Sequence, residues 1–191
     1  MLNQALQFLL ETLFGLFVLA VLLRFYLQWA RAPFRNPVSQ FIAALTDFAV
    51  KPLRRIIPGL LGLDLASLVL AWLVEYVMLL AISWLGGLFL LQAGPSVFLA
   101  IAFLAVVKLL KISIYILLGA VFIQAILSWT NPHTALAPVL SRLTDPFLLP
   151  LRRVVPLVAN VDLSPLVLFI LCELVLMVPL AWLESLAMRL S

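Results

Sequence analysis

The chain is 66% hydrophobic and only 10% charged, so its chemistry rests on a few ionisable side chains, and these fall in a pattern. Arg54 and Arg55 recur 98 positions later as Arg152 and Arg153, each pair inside the motif Pro-Leu-Arg-Arg-x-x-Pro. Pro52 and Pro58 bracket the first copy, Pro150 and Pro156 the second. Asp47 and Asp145 precede the arginine pairs, Asp64 and Asp162 follow them, and Glu75 and Glu173 come after those at matching offsets. Aligning 45–78 with 143–176 gives 16 identities in 34 positions. Shared Leu and Val come cheaply in apolar sequence, whereas a matched Thr-Asp, Pro-Leu-Arg-Arg and Asp-Leu do not. The pattern is an internal duplication.

Each residue type points to a chemistry. A guanidinium is a planar donor fork suited to phosphate or carboxylate, and a basic residue at a membrane surface contributes about 1 kcal/mol toward anionic lipid. Arg54, Arg55, Arg152 and Arg153 are therefore candidate lipid- or partner-binding residues. The plainer reading is topogenic, arginines holding one side by the positive-inside bias; repetition at fixed spacing favours a defined geometry. Asp47 and Asp145 can fold back across the prolines as salt-bridge partners of the arginines, making each segment a structural elbow. Asp64 and Asp162 suit helix N-caps, where a carboxylate meets orphan N–H groups. Glu75 and Glu173 lie about 16 Å further along, near the bilayer midplane. Ionisable groups there are candidates for cation binding or proton relay around a central axis. Against that stands simple pairing with Lys108 or Lys111, or hydrogen bonding across helices.

Other chemistry is poorly supplied. One cysteine, Cys172, and one histidine, His133, build neither a disulfide framework nor a metal centre. No nucleophile–base set, phosphate loop or cofactor motif is evident, and no cofactor is expected. The basic residues are few and sit beside apolar segments, which speaks against nucleic acid. A lipid-modifying enzyme would need a His or Ser near both arginine pairs, and only Ser141, Thr46 and Thr144 are close.

The elements that position these residues follow from hydropathy. With a mean hydropathy of +1.25 the chain falls outside the soluble globular class. A span needs about 20 apolar residues, which predicts transmembrane helices at 5–28, 65–88, 109–129 and 163–184. The first run lacks a preceding basic residue or a cleavage site, so it reads as a retained span rather than a signal peptide. Arginines and Lys51 crowd 24–55, and three more arginines occupy 130–160. Both segments are expected on the cytoplasmic side, with two crossings between them. Gly86-Gly87 and Gly94-Pro95 break the pattern, and 97–107 is too short to span, so 89–108 reads as an outer-side linker. Apolar residues at helical spacing predict interfacial amphipathic helices at 38–51 and 136–149, ended or kinked by Pro52 and Pro150.

The expected fold is an all-α polytopic membrane protein with four transmembrane helices in two parallel repeats, each carrying a cytoplasmic interfacial amphipathic helix. Residues 1–88 make the first repeat and 109–191 the second.

Pro-Leu-Arg-Arg-x-x-Pro followed by Asp-Leu, duplicated in a chain of this length, resembles the YggT (YlmG) family of bacterial integral membrane proteins. Leu23-Arg24-Phe25-Tyr26-Leu27-Gln28-Trp29 and Asn36-Pro37-Val38-Ser39-Gln40-Phe41 look like that family's first-repeat entry, and Ser128-Trp129 answers Gln28-Trp29 in the second half. The second entry is two residues shorter before its Thr-Asp. The resemblance covers nearly the whole chain. It implies a multi-pass protein of the bacterial cytoplasmic membrane, loosely linked to osmotic tolerance and cell-division gene neighbourhoods, with photosynthetic relatives that look like assembly factors. It supplies no catalytic residue to carry over.

The expectation is a non-enzymatic scaffold or assembly factor engaging anionic membrane lipids or a membrane-protein partner through its duplicated Arg-Arg elbows. The alternative is a small ion-conducting or osmotic-stress protein built on Glu75 and Glu173.

Overall fold

The structure is a computed structural model that describes residues 1–32, 36–59, 63–87, 94–131, 134, 136–155 and 162–190. Every regular element among them is helical: α1 (Leu2–Trp29), α2 (Pro37–Arg54), α3 (Leu65–Leu85), α4 (Pro95–Thr130), α5 (Ala137–Val154), α6 (Ser164–Val175) and α7 (Ala181–Leu190). A π-helical turn, Leu176–Leu180, joins α6 to α7. Pro179 lies in that turn; a proline donates no amide and its ring crowds the preceding turn, so local widening lets the helix run on.

Four helical stretches are long and apolar enough to cross a membrane: Leu2–Trp29, Leu65–Leu85, Pro95–Ser128 and Ser164–Arg189. Their outward faces are apolar, with Leu9, Leu13, Val77, Phe122, Ile170 and Met177 all exposed. The chain has the character of a membrane protein.

The third span differs from expectation. The segment 97–107 is no separate linker or re-entrant piece; α4 runs unbroken from Pro95, and only 89–93 of the expected linker lie outside the described residues. Pro95 sits in the first helical turn, where a missing amide costs nothing. Val97, Ile101 and Ala105 then pack on Leu79 of α3, so neighbouring helix supplies the burial that length alone did not reveal. At the end of α3, Gly86 caps the helix and Gly87 turns away at φ 94°, a conformation that favours glycine.

α1 runs antiparallel beside α3: Asn3 donates to the Leu85 carbonyl at one end, and Arg24 approaches Asp64 at the other. Val18, Val21 and Leu22 of α1 meet Ala71 of α3 and Leu109 and Ile116 of α4 in one core cluster. A second cluster joins Val107, Leu118 and Val121 of α4 to Leu148 of α5 and to Leu168, Cys172, Leu176 and Leu180 along α6 and its π turn.

The short helices α2 and α5 lie at the same end of the bundle, each against the end of α1. Ile42 of α2 and Val139 and Leu143 of α5 share a cluster with Leu27 and Ala32, and Trp29 lies 6.3 Å from Phe147 between ring centroids. α2 starts at an Asn36 cap that accepts from the Val38 amide at 2.8 Å. It buries Ser39, Ile42, Thr46 and Val50 and leaves Phe41, Leu45 and Phe48 exposed. Pro52 and Pro150, expected to end or kink these helices, do not end them. α2 continues through Pro52 to Arg54, and α5 through Pro146 and Pro150 to Val154. Near a helix end a proline's missing amide bond and the crowding of its ring on the preceding turn disturb only the last turn, and Pro52 and Pro150 lie two and four residues from the ends of their helices.

Candidate functional site

The two arginine motifs close two elbows, where each short helix turns into the next span. In the first, Arg54 Nε donates to Asp64 Oδ1 at 3.1 Å and Arg54 Nη2 donates to Asp64 Oδ2, a bidentate fork. Asp64 caps α3 through the Ser67 amide. One carboxylate thus ties the end of α2 to the start of α3. Burial would raise the Asp64 carboxyl, yet hydrogen bonds from Arg54 and Ser67 hold it below the usual carboxylate range.

Arg24, near the end of α1, completes this elbow. It is buried, 6% exposed. Its Nη1 donates to the Thr46 hydroxyl at 2.8 Å and to Asp47 Oδ1 at 2.7 Å, and its Nε lies 3.9 Å from Asp64. Asp47 also pairs with Lys51, one helical turn on, at 2.7 Å. Hydrogen bonds from Lys51 and Arg24 hold the Asp47 carboxyl below its ordinary value. Gln28 adds an acceptor, taking a bond from Arg54 Nη2 at 2.9 Å. The expectation that Asp47 would fold back onto Arg54 and Arg55 is corrected: Asp47 lies within α2 and faces α1, so Arg24 and Lys51 reach it while Asp64 takes Arg54.

The second elbow repeats the connection more loosely. Arg152 Nε donates to Asp162 Oδ2 at 2.8 Å, a single bond, and Asp162 Oδ1 accepts from the Ser164 amide at 2.9 Å. Against burial, Ser164 and Arg152 hold the Asp162 carboxyl below its ordinary value. Thr144 is fully buried, as Thr46 is; its hydroxyl donates to Gln124 of α4 at 2.5 Å. Asp145 has no ion pair among the described residues. Pro58 is exposed, and Pro156 lies outside the described residues, as does His133.

Arg55 and Arg153, next to these clamped arginines, are exposed and make no ion pair among the described residues. They are the outward guanidinium groups of the two elbows.

The intramembrane glutamates separate. Glu75 is buried, 1% exposed, with Oε1 4.0 Å from Lys108 Nζ and Oε2 without a hydrogen-bond partner among the described residues. Glu173 is exposed on the outside of α6, so the two do not face each other across an axis. Lys111, an expected partner for an intramembrane glutamate, pairs instead with Glu184 of α7. No cluster of His, Cys, Asp and Glu among the described residues has the makings of a metal site.

Arg24, Gln28 and Gln124 were missed as site residues. Arg24 read as one more topogenic charge, although an arginine closing an apolar run needs buried partners, and that was a usable signal.

Comparison with known proteins places this architecture. The CCB3/YggT family model matches residues 3–85 and 103–183. An uncharacterised protein of Vibrio alginolyticus is 39% identical over 170 residues, covering 87% of this chain and 88% of its own. One of Pseudomonas aeruginosa is 38% identical over 91% of this chain and 87% of its own. The uncharacterised protein YggT of Escherichia coli K12 is 33% identical over 87% of this chain and 84% of its own. No solved structure matches. Two family matches spanning both halves, with relatives aligned along nearly their full length, lead to one conclusion: the chain belongs to the CCB3/YggT family.

Proposed function

We propose that this protein is a non-enzymatic scaffold or assembly factor of the bacterial cytoplasmic membrane, with two parallel repeats presenting Arg-Arg elbows on the cytoplasmic face. The observation that carries this reading is the division of labour within each arginine pair. Arg54 and Arg152 are bound to Asp64 and Asp162, while Arg55 and Arg153 stand exposed beside them. The first arginine holds the elbow; the second is available to anionic headgroups or to an acidic partner surface. Phe41, Leu45 and Phe48 of α2, and Phe147 and Leu149 of α5, are exposed. They suit an interfacial helix with its apolar side in the acyl boundary, which sets the elbows at headgroup depth.

The test is retention of anionic phospholipid by purified protein in native mass spectrometry, parent against Arg55→Gln/Arg153→Gln. Loss of bound phosphatidylglycerol in the variant supports the proposal, and unchanged retention removes it. Crosslinking from native membranes with the same variant asks whether a protein partner uses the same face. Ion conduction around Glu75 and Glu173 finds less support, since Glu75 is enclosed with Lys108 and Glu173 lies outside the bundle.

A further inference from the structure

The first helices of the two halves differ at several aligned positions, and Gln124, Ala125 and Ser128 line a cavity where the first half carries Arg24, Phe25 and Gln28. Aligned on Trp29 and Trp129, Arg24 corresponds to Gln124 and Gln28 to Ser128. The correspondence also holds in space: Arg24 bonds Thr46, and Gln124 bonds Thr144. In the first half the longer side chains occupy the elbow. The Arg24 cation sits near Asp64, and the Gln28 oxygen accepts from Arg54. In the second half Gln124 and Ser128 are too short to do either. A cleft of about 800 Å³ lies there, bounded by Gln124, Ser128, Arg152 and Asp162 on its polar side and by Leu148 and Phe169 among its apolar walls.

The first elbow is a template for what fits the second: a cation donor against the aspartate and an acceptor oxygen against the arginine. Arg152 uses only Nε on Asp162, and its two terminal amino groups have no partner among the described residues. Arg152 and Asp162 together carry no net charge, so the cleft complements a zwitterion better than an anion. Asp162, Ser128 and Gln124 offer acceptors to a donor-rich ammonium. A quaternary ammonium could give them no hydrogen bond. The apolar walls continue to exposed Leu166 on the outside of α6, and the volume exceeds a headgroup and takes in part of an acyl chain.

We propose that the cleft between α4, α5 and α6 is a binding site for a phospholipid with a primary-amine headgroup, its phosphate on Arg152 and its ammonium toward Asp162. The site rests on the lipid-facing reading above and shares its Arg152–Asp162 pair, but it does not use Arg55 or Arg153, the exposed arginines to which that reading gives the lipid. The same polar chemistry is offered by a free phosphoamine, so the apolar walls decide for the lipid.

The full chain in detergent is titrated with phosphatidylethanolamine, phosphatidylcholine and phosphatidylglycerol of matched acyl chains, and with glycerophosphoethanolamine, and read by native mass spectrometry. Gln124→Arg/Ser128→Gln rebuilds the first half's side chains in the second. Phosphatidylethanolamine is expected to bind the parent at least about tenfold more tightly than the other lipids, and the filled variant is expected to lose that preference. Arg55→Gln/Arg153→Gln is expected to keep it; its loss there, with the filled variant unaffected, would place the lipid on the exposed arginines and overturn the cleft. In the Arg55→Gln/Arg153→Gln background, where the exposed arginines no longer hold anionic lipid, equal binding of the choline lipid, preference for the glycerol lipid, or binding of the headgroup alone as tightly as the lipid each overturns the assignment. Should the filled variant fail to fold, a photoactivatable phosphatidylethanolamine on the parent decides: label on the Leu148 and Phe169 peptides supports the site, and label elsewhere refutes it.

Discussion

Arg24 of α1 donates to the Thr46 hydroxyl of α2 at 2.8 Å inside the bundle, and the same guanidinium reaches Asp47 at 2.7 Å and stands 3.9 Å from Asp64. One buried cation thus holds three elements together: the end of α1, the middle of α2 and the cap of α3. Replacing Arg24 by Met removes the cation, while Lys51 stays on Asp47 and Arg54 on Asp64. A cost of about 1–3 kcal/mol is expected, since the carboxylates keep other partners but the buried Thr46 hydroxyl and Asp47 lose a charged donor. Gln124→Leu, at the aligned position, loses one neutral hydrogen bond and costs about 1 kcal/mol. Thermal unfolding in detergent compares the two directly.

Arg54 and Arg152 occupy the same motif but not the same environment. Asp64 is 2% exposed and takes a bidentate fork from Arg54; Asp162 is about a third exposed and takes a single bond from Arg152. Arg54→Gln should lower stability by about 2–4 kcal/mol, softened by the Arg24 and Ser67 contacts that remain on Asp64. Arg152→Gln should cost less than about 1 kcal/mol. Equal losses would mean that the second elbow is tighter than its geometry indicates.

The depressed carboxyls of Asp47, Asp64 and Asp162 set the sign of an acid response. A carboxyl that ionises more readily folded than unfolded contributes stability fully above its unfolded pKa, about 4. That contribution is lost as pH falls through the lower folded value. Melting temperature should therefore hold on acidification to about pH 4 and decline below it. Asp64→Asn, melted across the same range, should start lower and decline less.

Glu75 and Lys108 stand 4.0 Å apart between α3 and α4. A cycle of Glu75→Gln, Lys108→Met and the double variant should return a coupling of about 0.5–1.5 kcal/mol in detergent melts. Zero coupling would mean that the two charges are satisfied separately.

The clustering of Ile42 with Val139 and Leu143 brings both short helices to one end of the bundle. With Cys172 changed to Ala, single cysteines at Arg55 and Arg153 should both react with an impermeant maleimide from the same side of the membrane. A cysteine at Gly94 should react from the other side. Labelling of Arg55 and Arg153 positions from opposite faces would overturn the arrangement.

The composition and the four apolar runs were enough to specify membrane helices, and the duplicated Pro-Leu-Arg-Arg-x-x-Pro was enough to mark the elbows. Both are local properties, hydropathy over a span and identity over a motif. The start of α4 was less legible, because Gly94-Pro95 signals a break whether the helix begins there or merely passes nearby; packing of Val97 and Ile101 on Leu79 decided it. Pairing was not legible either. Asp47 and Asp64 lie at comparable sequence distances from Arg54, and only the docking of α1 beside α2 gives Asp47 to Arg24 and leaves Asp64 for Arg54. The fate of Glu75 and Glu173 was beyond the sequence for the same reason. A span apolar on every side carries no periodic signal of which face turns inward, so their matched positions say nothing of rotation. Only helix packing enclosed one and exposed the other. The duplication wrote the same elbow twice; tertiary packing, through an arginine and a glutamine in one half and a glutamine and a serine in the other, filled the first and left the second open.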